Sequence, residues 1–232
     1  SAQGITRNWQ SLSDLQPHML NFLENHDEQR FASEFFGKQA QKTLAPLFVS
    51  LYLNTAPFMI YFGEEVGEKG MEEEGFSGVN GRTTIFDWWS VGSIRRLRKI
   101  IAKGEYKNLS VSALTKAGLK PEEARVFARF AHAIRFAATD LAITQGSTYD
   151  LCYCNFSSDG FNKDRHYAFL RDFEDHTLLI AANFSMVPAK MKLRIPQHAF
   201  DWMEIPQTSE LNTSTILEIT VPPMDGTILQ LI

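Results

Sequence analysis

Two short apolar runs early in the chain each stop abruptly at acidic residues. The first covers residues 19–23 and is followed by Glu24-Asn25-His26-Asp27; the second covers residues 57–62 and is followed by Gly63-Glu64-Glu65. A run of about five mostly apolar residues is typical of a parallel strand covered on both faces. Carboxylates are costly to bury unless they are paired or functional. The pattern predicts two buried strands that deliver polar groups at their carboxyl ends.

The segment between the two runs has a helical pattern. Within residues 35–54 a stripe of apolar residues recurs at three- and four-residue steps, namely Leu44, Leu47, Phe48 and Leu51. Pro46 must kink this helix or begin a new one. Strand, helix and strand, with acids after both strands, describe one βα repeat of a barrel whose active site lies at the carboxyl-end face.

These residues resemble a known family. The stretch Phe22-Leu23-Glu24-Asn25-His26-Asp27 is similar to the last of the four signature motifs of the α-amylase family, glycoside hydrolase family 13. Residues 56–65 resemble the family's eighth barrel strand and the glycine-glutamate turn after it. A weaker likeness at residues 81–88 is to the Arg-Thr segment that follows the eighth strand in exo-acting members. The resemblance covers nearly the whole chain, but only the last part of the family's fold.

The expected architecture is α/β followed by all-β. Residues 1–147 are expected to form the last βα units of an incomplete (β/α)8 TIM barrel, and residues 148–232 an antiparallel β-sandwich. The change near residue 148 follows from a switch in period, because helical stripes precede it and short alternating segments follow it, Leu217–Val221 most clearly. Apolar strands are also predicted at residues 177–182 and 227–232.

The resemblance implies a role for each polar residue of the two motifs. Asp27 corresponds to the carboxylate that binds the sugar ring and stabilises the positively charged transition state, and His26 and Asn25 to neighbouring sugar-binding groups. Glu64 is a further substrate-binding candidate, although Glu64 and Glu65 are as well explained as acids that hold the turn by accepting backbone hydrogen bonds. Arg82 would reach the terminal sugar.

The roles of two arginines near the motifs are less well defined by the resemblance. After Arg82 the chain continues Thr83-Thr84-Ile85-Phe86, where the family usually has Thr-Pro-Met-Gln-Trp, and this puts the assignment of Arg82 in question. Arg30 lies just beyond the first motif. A capping or salt-bridge role explains it at least as well as a role in the site.

The family's nucleophile and acid/base residues lie on its fourth and fifth barrel strands, which this chain lacks. The nearest substitute for the nucleophile's signature is Arg135 to Asp140, but its spacing is wrong and its setting is helical, because apolar residues recur with helical period between Pro121 and Gly146. Asp140 is therefore expected to be a helix-surface acid. We expect this chain to be the carboxyl-terminal part of a retaining glycoside hydrolase or transglycosylase that acts on α-glucosidic bonds. The chain by itself is expected to be inactive. The alternative is a non-catalytic carbohydrate-binding or interaction module on the same scaffold.

Composition narrows the partners. The 232 residues carry a net charge of −4 without a basic face that could meet phosphates, so no nucleic acid is expected. No apolar run approaches the roughly 20 residues of a membrane span, so no membrane partner is expected. The expected partner is an α-glucan or malto-oligosaccharide, and the uncovered edges of an incomplete barrel predict self-association. A missing leader says nothing about compartment, because the amino terminus reads as truncated.

Four further groups have structural explanations at the sequence level. Cys152 and Cys154 are expected to be buried free thiols on one side of a strand, and the basic cluster at residues 95–99 a solvated helix face. Trp88 and Trp89 are either a sugar-stacking platform or packing at a domain seam. Glu72, Glu73 and Glu74 are expected to be solvated; no cofactor is expected, and calcium in a longer enzyme would need ligands that are not visible here.

Overall fold

The computed structural model describes residues 1–70, 80–83 and 91–232. The predictions made for Glu72–Glu74 and for Trp88 and Trp89 lie outside these residues.

The chain divides into two compact units, each assembled from separate stretches of sequence. One unit comprises residues 1–21, 48–57 and 136–232, and the other comprises residues 22–47 and 58–135. The predicted boundary near residue 148 stays a prediction.

The two predicted strands exist but are short. They are β1 (Asn21–Phe22) and β2 (Phe58–Met59), which pair, and the Asn21 amide donates to the Pro57 carbonyl at 2.9 Å. Met19, Leu20 and Phe22 are exposed. The prediction that the first strand is covered on both faces is therefore wrong for the described residues, because this sheet has two strands and they do not belong to a closed barrel.

Helices precede and separate these strands. α1 (Gln3–Leu12) is followed by a 3-10 turn at Ser13–His18, and α2 (Leu44–Tyr52) follows a 3-10 turn at Ala40–Thr43. Pro46 lies in the first turn of α2, where its missing N–H costs no helical hydrogen bond. Of the two predicted roles of Pro46, a kink or a helix start, the structure shows the helix start.

The unit that holds residues 58–135 has a helical core. Its described residues include the helices α3 (Gly92–Lys103) and α4 (Val111–Ala117) and the first part of α5 (Pro121–Thr139). Their buried faces meet in one apolar cluster that comprises Val66, Leu97, Ile100, Leu114, Leu119, Ala124 and Ala128. Pro121 begins α5, as the sequence predicts.

The basic cluster on α3 is only partly a solvated face. Arg95, Arg98 and Lys99 are exposed, but the Arg96 guanidinium donates through Nε, at 2.9 Å, and Nη2 to the buried carboxylate of Glu123. Glu123 also accepts the amide hydrogen of Lys120 at 2.9 Å, which satisfies a donor at the amino end of α5. Arg96 thus connects two helices.

The long predicted helix is interrupted at Asp140. This residue caps the short helix α6 (Leu141–Thr144), accepting the Ile143 amide at 3.2 Å, and its other oxygen lies 2.8 Å from Nε2 of His176. The expectation of a helix-surface acid is wrong, because the Asp140 side chain replaces a backbone partner at a helix start.

The remainder of the chain contains antiparallel sheets and the helix α7 (Gln197–Met203). One sheet has the order β3 (Ser147–Asp150), β4 (His166–Phe173), β5 (His176–Asn183) and β8 (Asp225–Gln230), and a second pairs β6 (Ala189–Leu193) with β7 (Leu217–Val221). In the first sheet Phe169 lies opposite Ile180, which lies opposite Ile228. The prediction of antiparallel pairing is confirmed, and that of a sandwich stays a prediction.

Both cysteines are free, but they do not lie on a strand. β3 ends at Asp150, and Cys152 and Cys154 follow in a turn, so the prediction that they share one side of a strand is wrong. Cys152 is buried and Cys154 half-buried; burial raises the pKa of the Cys154 thiol to about 11.

Among the helices of the described ranges, none combines the length and the apolar character needed to cross a membrane.

A buried arginine holds the four-stranded sheet to the segments beside it. Arg171 on β4 donates through Nε to the Ala142 carbonyl at 2.9 Å, through Nη2 to the Ile143 carbonyl at 2.8 Å, and through Nη1 to the Leu53 carbonyl and Thr148 Oγ1. Burial lowers its pKa to about 10. The guanidinium thus satisfies backbone groups that would otherwise be buried without partners.

Replacing Arg171 should destabilise the fold through these carbonyls. Arg171→Lys keeps the charge but cannot reach the same acceptors, so we expect the free energy of unfolding to fall by about 2–5 kcal/mol. Urea denaturation measures this, with the exposed Arg165→Lys as the matched control. An equal, small change in both variants would contradict the role given to Arg171.

Candidate active site

The side chains of His26 and Asp27 are exposed to solvent and lie next to each other. Their side chains are 56% and 77% exposed, and His26 Nε2 lies 3.4 Å from Asp27 Oδ2. Among the described residues, this is the only polar contact of the Asp27 carboxylate. An exposed carboxylate beside an imidazole leaves both groups available to hydrogen-bond a bound ligand.

Asn25 shapes the loop that carries them. Its side-chain oxygen accepts the amide hydrogens of Asp27 at 2.8 Å and Glu28 at 2.9 Å. This is an Asx turn, in which an asparagine side chain replaces a backbone acceptor. The contacts of Asn25 are thus with its own loop, and its predicted contact with substrate stays a prediction.

Behind the loop lies the buried ion pair of Arg30 and Glu24. Arg30 is fully buried, and its Nη1 donates to Glu24 Oε2 at 2.7 Å. Its Nη2 donates to the Phe62 carbonyl at 2.7 Å and its Nε to Thr83 Oγ1 at 3.1 Å. Glu24 Oε1 in turn accepts the Phe31 amide at 2.7 Å. The alternative explanation of Arg30, a salt bridge, is confirmed.

Two aromatic rings complete the surroundings of this guanidinium. The central carbon of Arg30 lies 4.5 Å from the ring centroid of Tyr61 and 5.3 Å from that of Phe62. The Tyr61 hydroxyl donates to the Thr83 carbonyl at 2.7 Å, and burial raises its pKa. Rings stacked on a desolvated cation stabilise it, so residues 24–30, 61–62 and 83 are fixed relative to one another.

The short segment 80–83 braces the loop from its other side. The Arg82 Nε donates to the Asp27 carbonyl at 2.5 Å, and the Gly81 carbonyl accepts the Arg30 amide at 2.7 Å. Gly81 has a φ of +82°, and a Cβ there would lie 2.7 Å from Ser33 Oγ. Arg82 therefore holds the backbone of Asp27, and its predicted contact with a sugar stays a prediction.

Glu64 is placed differently from the other predicted site residues. It is 1% exposed, follows Gly63, whose φ is +89°, and its Oε2 accepts the Tyr61 amide at 3.2 Å. Its Oε1 has no partner among the described residues. Burial, reinforced by the charge of Glu24, raises the pKa of Glu64 to about 8. This geometry matches the alternative that Glu64 holds the turn.

Two further acids surround this turn. Burial raises the pKa of Glu65 and of Glu68, and Glu68 Oε2 accepts a hydrogen bond from Ser93. Since the buried Arg30 is already paired with Glu24, these carboxyls face their desolvation without a full counter-charge. Within residues 1–70, 80–83 and 91–232, no three His, Cys, Asp or Glu side chains are grouped as a metal ion would require.

A cavity of ≈ 480 Å³ lies elsewhere in the same unit. It is mostly apolar and is lined by Ile60, Phe62, Glu65, Phe127, Phe130, Ala131, Ile134 and Arg135. Neither His26 nor Asp27 contributes to it. The structure therefore brings together Asn25, His26, Asp27 and Arg82, and sets Glu64 behind them in the interior.

Comparison with known proteins gives one family match and several similar folds. Residues 3–116 match the model of the α-amylase catalytic domain. No curated protein matches the chain. A debranching enzyme from Nostoc punctiforme, soaked with acarbose, superposes with a TM-score of 0.54 and 20% identity, over 98% of this chain and 38% of that one.

Two other solved structures are similar. AmyP in complex with maltose has a TM-score of 0.59 at 14% identity, over 98% of this chain and 43% of its own, and an α-amylase from H. orenii has 0.52 at 18%, over 97% and 43%. At such identities the likeness shows the fold alone. The chain spans between 38% and 43% of the length of these three proteins.

The family model matches the segment that contains β1, β2 and the loop of Asp27, and the solved structures share the fold across nearly the whole chain. The segment at residues 3–116 therefore belongs to the α-amylase family.

Proposed function

We propose that this chain contributes the transition-state-stabilising carboxylate, Asp27, and the sugar-binding imidazole, His26, to a glycoside hydrolase or transglycosylase that acts on α-glucosidic bonds with retention. The single observation that carries the proposal is the exposure of these two side chains, in contact, on a loop whose backbone is held by Asn25 and Arg82.

The chemistry suits a carboxylate in that position. Cleavage of a glycosidic bond passes through a transition state in which positive charge develops on the sugar ring. A fixed carboxylate interacts more strongly with that charge than with the neutral substrate, and so lowers the barrier by differential binding. His26, next to Asp27, would hydrogen-bond a hydroxyl of the same sugar.

The nucleophile and the acid/base are assigned to residues outside this chain. A retaining mechanism needs two carboxyls about 5–5.5 Å apart, one to attack the anomeric carbon and one to move the proton. In the part of the chain that the structure describes, no second carboxylate contacts Asp27. Two of the similar structures support an oligosaccharide substrate, because one was soaked with acarbose and the other is in complex with maltose.

The remaining predicted site residues are proposed to act through the loop. Asn25 and Arg82 contact the backbone of Asp27 and are positioning groups. Glu64 is proposed to hold the turn after β2 in its protonated form. At the level of the fold, β1 and β2 are proposed to be the last two strands of a barrel, and residues 148–232 a sandwich.

The chain alone should not turn over substrate. Asp27 can stabilise the transition state, but without a nucleophile and an acid/base the chain has no groups to break the glycosidic bond. We expect no hydrolysis of maltoheptaose or an aryl α-glucoside above a blank, measured by released reducing sugar and by aglycone absorbance. Turnover that Asp27→Asn abolishes would show that this chain holds a nucleophile of its own.

Asp27 should be essential in a longer protein that carries the nucleophile. Asp27→Asn removes the negative charge but not the size of the side chain, so we expect kcat/KM to fall on the order of 10²- to 10³-fold with unchanged thermal stability. Glu34→Gln, at an exposed carboxylate in the same unit, is the control and should keep wild-type rates. Near-normal activity of the Asp27 variant would remove Asp27 from its role.

Glu64 should make the fold less stable as the pH rises. Its carboxyl keeps a proton in the folded chain up to about pH 8 but loses it near its ordinary value of 4.5 when unfolded. Between these values the folded chain binds more protons, so the free energy of unfolding should fall by up to about 1.4 kcal/mol per pH unit and level off above that window.

Urea denaturation between these limits tests the effect. Glu64→Gln should flatten the slope, leaving the part that Glu65 and Glu68 contribute with the same sign, whereas Glu34→Gln should leave it as in the wild type. A Glu64→Gln slope equal to that of the wild type would mean that Glu64 is ionised in the folded chain.

A further inference from the structure

An aromatic cluster lies on the unit that holds residues 136–232. Tyr149 on β3 is its floor, and the rings of Tyr153, His198 and Trp202 surround it with centroids 6.2, 5.7 and 6.1 Å from that of Tyr149. Tyr153 and Trp202 are each 54% exposed, although both are large enough to be worth burying. Single exposed aromatics are ordinary, but a contiguous group is typical of a binding surface.

The rings are held in place by hydrogen bonds and by the helix. The Tyr149 hydroxyl is hydrogen-bonded to that of Tyr153 and lies 3.1 Å from Nδ1 of His198. His198 and Trp202 are four residues apart on α7, so they share one helix face. A surface that is fixed before binding loses little conformational entropy when a ligand arrives.

Polar groups border the rings on the same helix. Gln197 and Asp201, also four residues apart, are exposed and joined at 2.7 Å, and the Gln207 side chain donates to Gln197 Oε1 at 3.2 Å. The cluster therefore offers aromatic faces together with amide, carboxylate and imidazole groups. None of the groups named here carries a fixed positive charge, which disfavours phosphate-bearing ligands.

We propose that Tyr153, His198 and Trp202 form a second saccharide-binding site, separate from the loop of Asp27, for an α-glucan chain. The C–H face of a sugar ring packs on an aromatic face, and its hydroxyls need donors and acceptors at the ring's edge, as Gln197, Asp201 and His198 supply. The flanking rings are inclined to Tyr149 by 46° to 51°. Such inclined faces fit successive glucosyl units of an α-glucan, which are not coplanar, better than one flat ligand.

The choice of ligand rests on the proposed function. A second site for the same polymer would keep substrate bound to the enzyme to which the loop of Asp27 contributes. Titration calorimetry of this chain with maltoheptaose tests it. We expect the double variant Tyr153→Ala, Trp202→Ala to lower the association constant at least about ten-fold, the loss typical of removing an aromatic anchor. Trp202→Phe, which keeps a ring, should recover part of it.

One control and one comparison separate this inference from the proposed function. The control is Tyr106→Ala, at an exposed tyrosine outside the cluster, which should bind as the wild type does, and Asp27→Asn is compared with the double variant. Binding that survives the double variant but is lost in Asp27→Asn would overturn the second site and leave the role of Asp27 standing. Undetectable binding by the wild type would also overturn it, while Asp27 is judged by turnover in the longer protein.

A protein contact is the competing use of these rings. Light scattering decides this: self-association that the double variant abolishes, with no binding of maltoheptaose, would assign the cluster to contacts between copies and overturn the saccharide site. Thermal unfolding of each variant establishes that it is folded, and Trp202→Phe serves as the test of binding if the double variant is not.

Discussion

The buried guanidinium of Arg30 is the group on which the candidate site depends. A charge without water is tolerated only when nearly every donor has an acceptor, and Arg30 meets this by bonding to Glu24, to Thr83 and to the carbonyl of Phe62. Those partners come from three separate stretches of sequence. The requirement to satisfy one cation thus sets where the loop of Asp27, the turn after β2 and the segment at Gly81 lie with respect to one another.

The same cation explains the behaviour of the acids around it. Glu24 takes its charge, and the carboxyls of Glu64, Glu65 and Glu68 are then buried beside a pair that is already neutral overall. Desolvation favours their protonated forms. The interior behind the loop is therefore rich in carboxyl groups without being rich in negative charge, whereas the side chain of Asp27 is exposed to solvent.

The sequence predicted the position of the polar loop after β1 better than it predicted the surroundings of the two strands. Polar residues at the end of an apolar run placed Asn25, His26 and Asp27 on one loop, and α2, α5 and β7 followed from periodicity and from Pro46 and Pro121. Burial was predicted wrongly for Met19–Leu23, because a run of apolar residues shows that a surface is suited to being covered, not that a cover is present. The contacts of Asp140 and Arg171 could not be predicted from the sequence for another reason. Their partners, His176 and Leu53, are far from them along the chain.

The loop from Glu24 to Arg30 assigns shape and chemistry to different residues. Glu24 and Arg30 are buried, while Asp27 is held by its backbone and only its side chain meets solvent. Substitutions at residues 26 and 27 consequently carry little penalty for folding. In evolution such a loop can therefore exchange its exposed side chains in a single step while its buried frame persists.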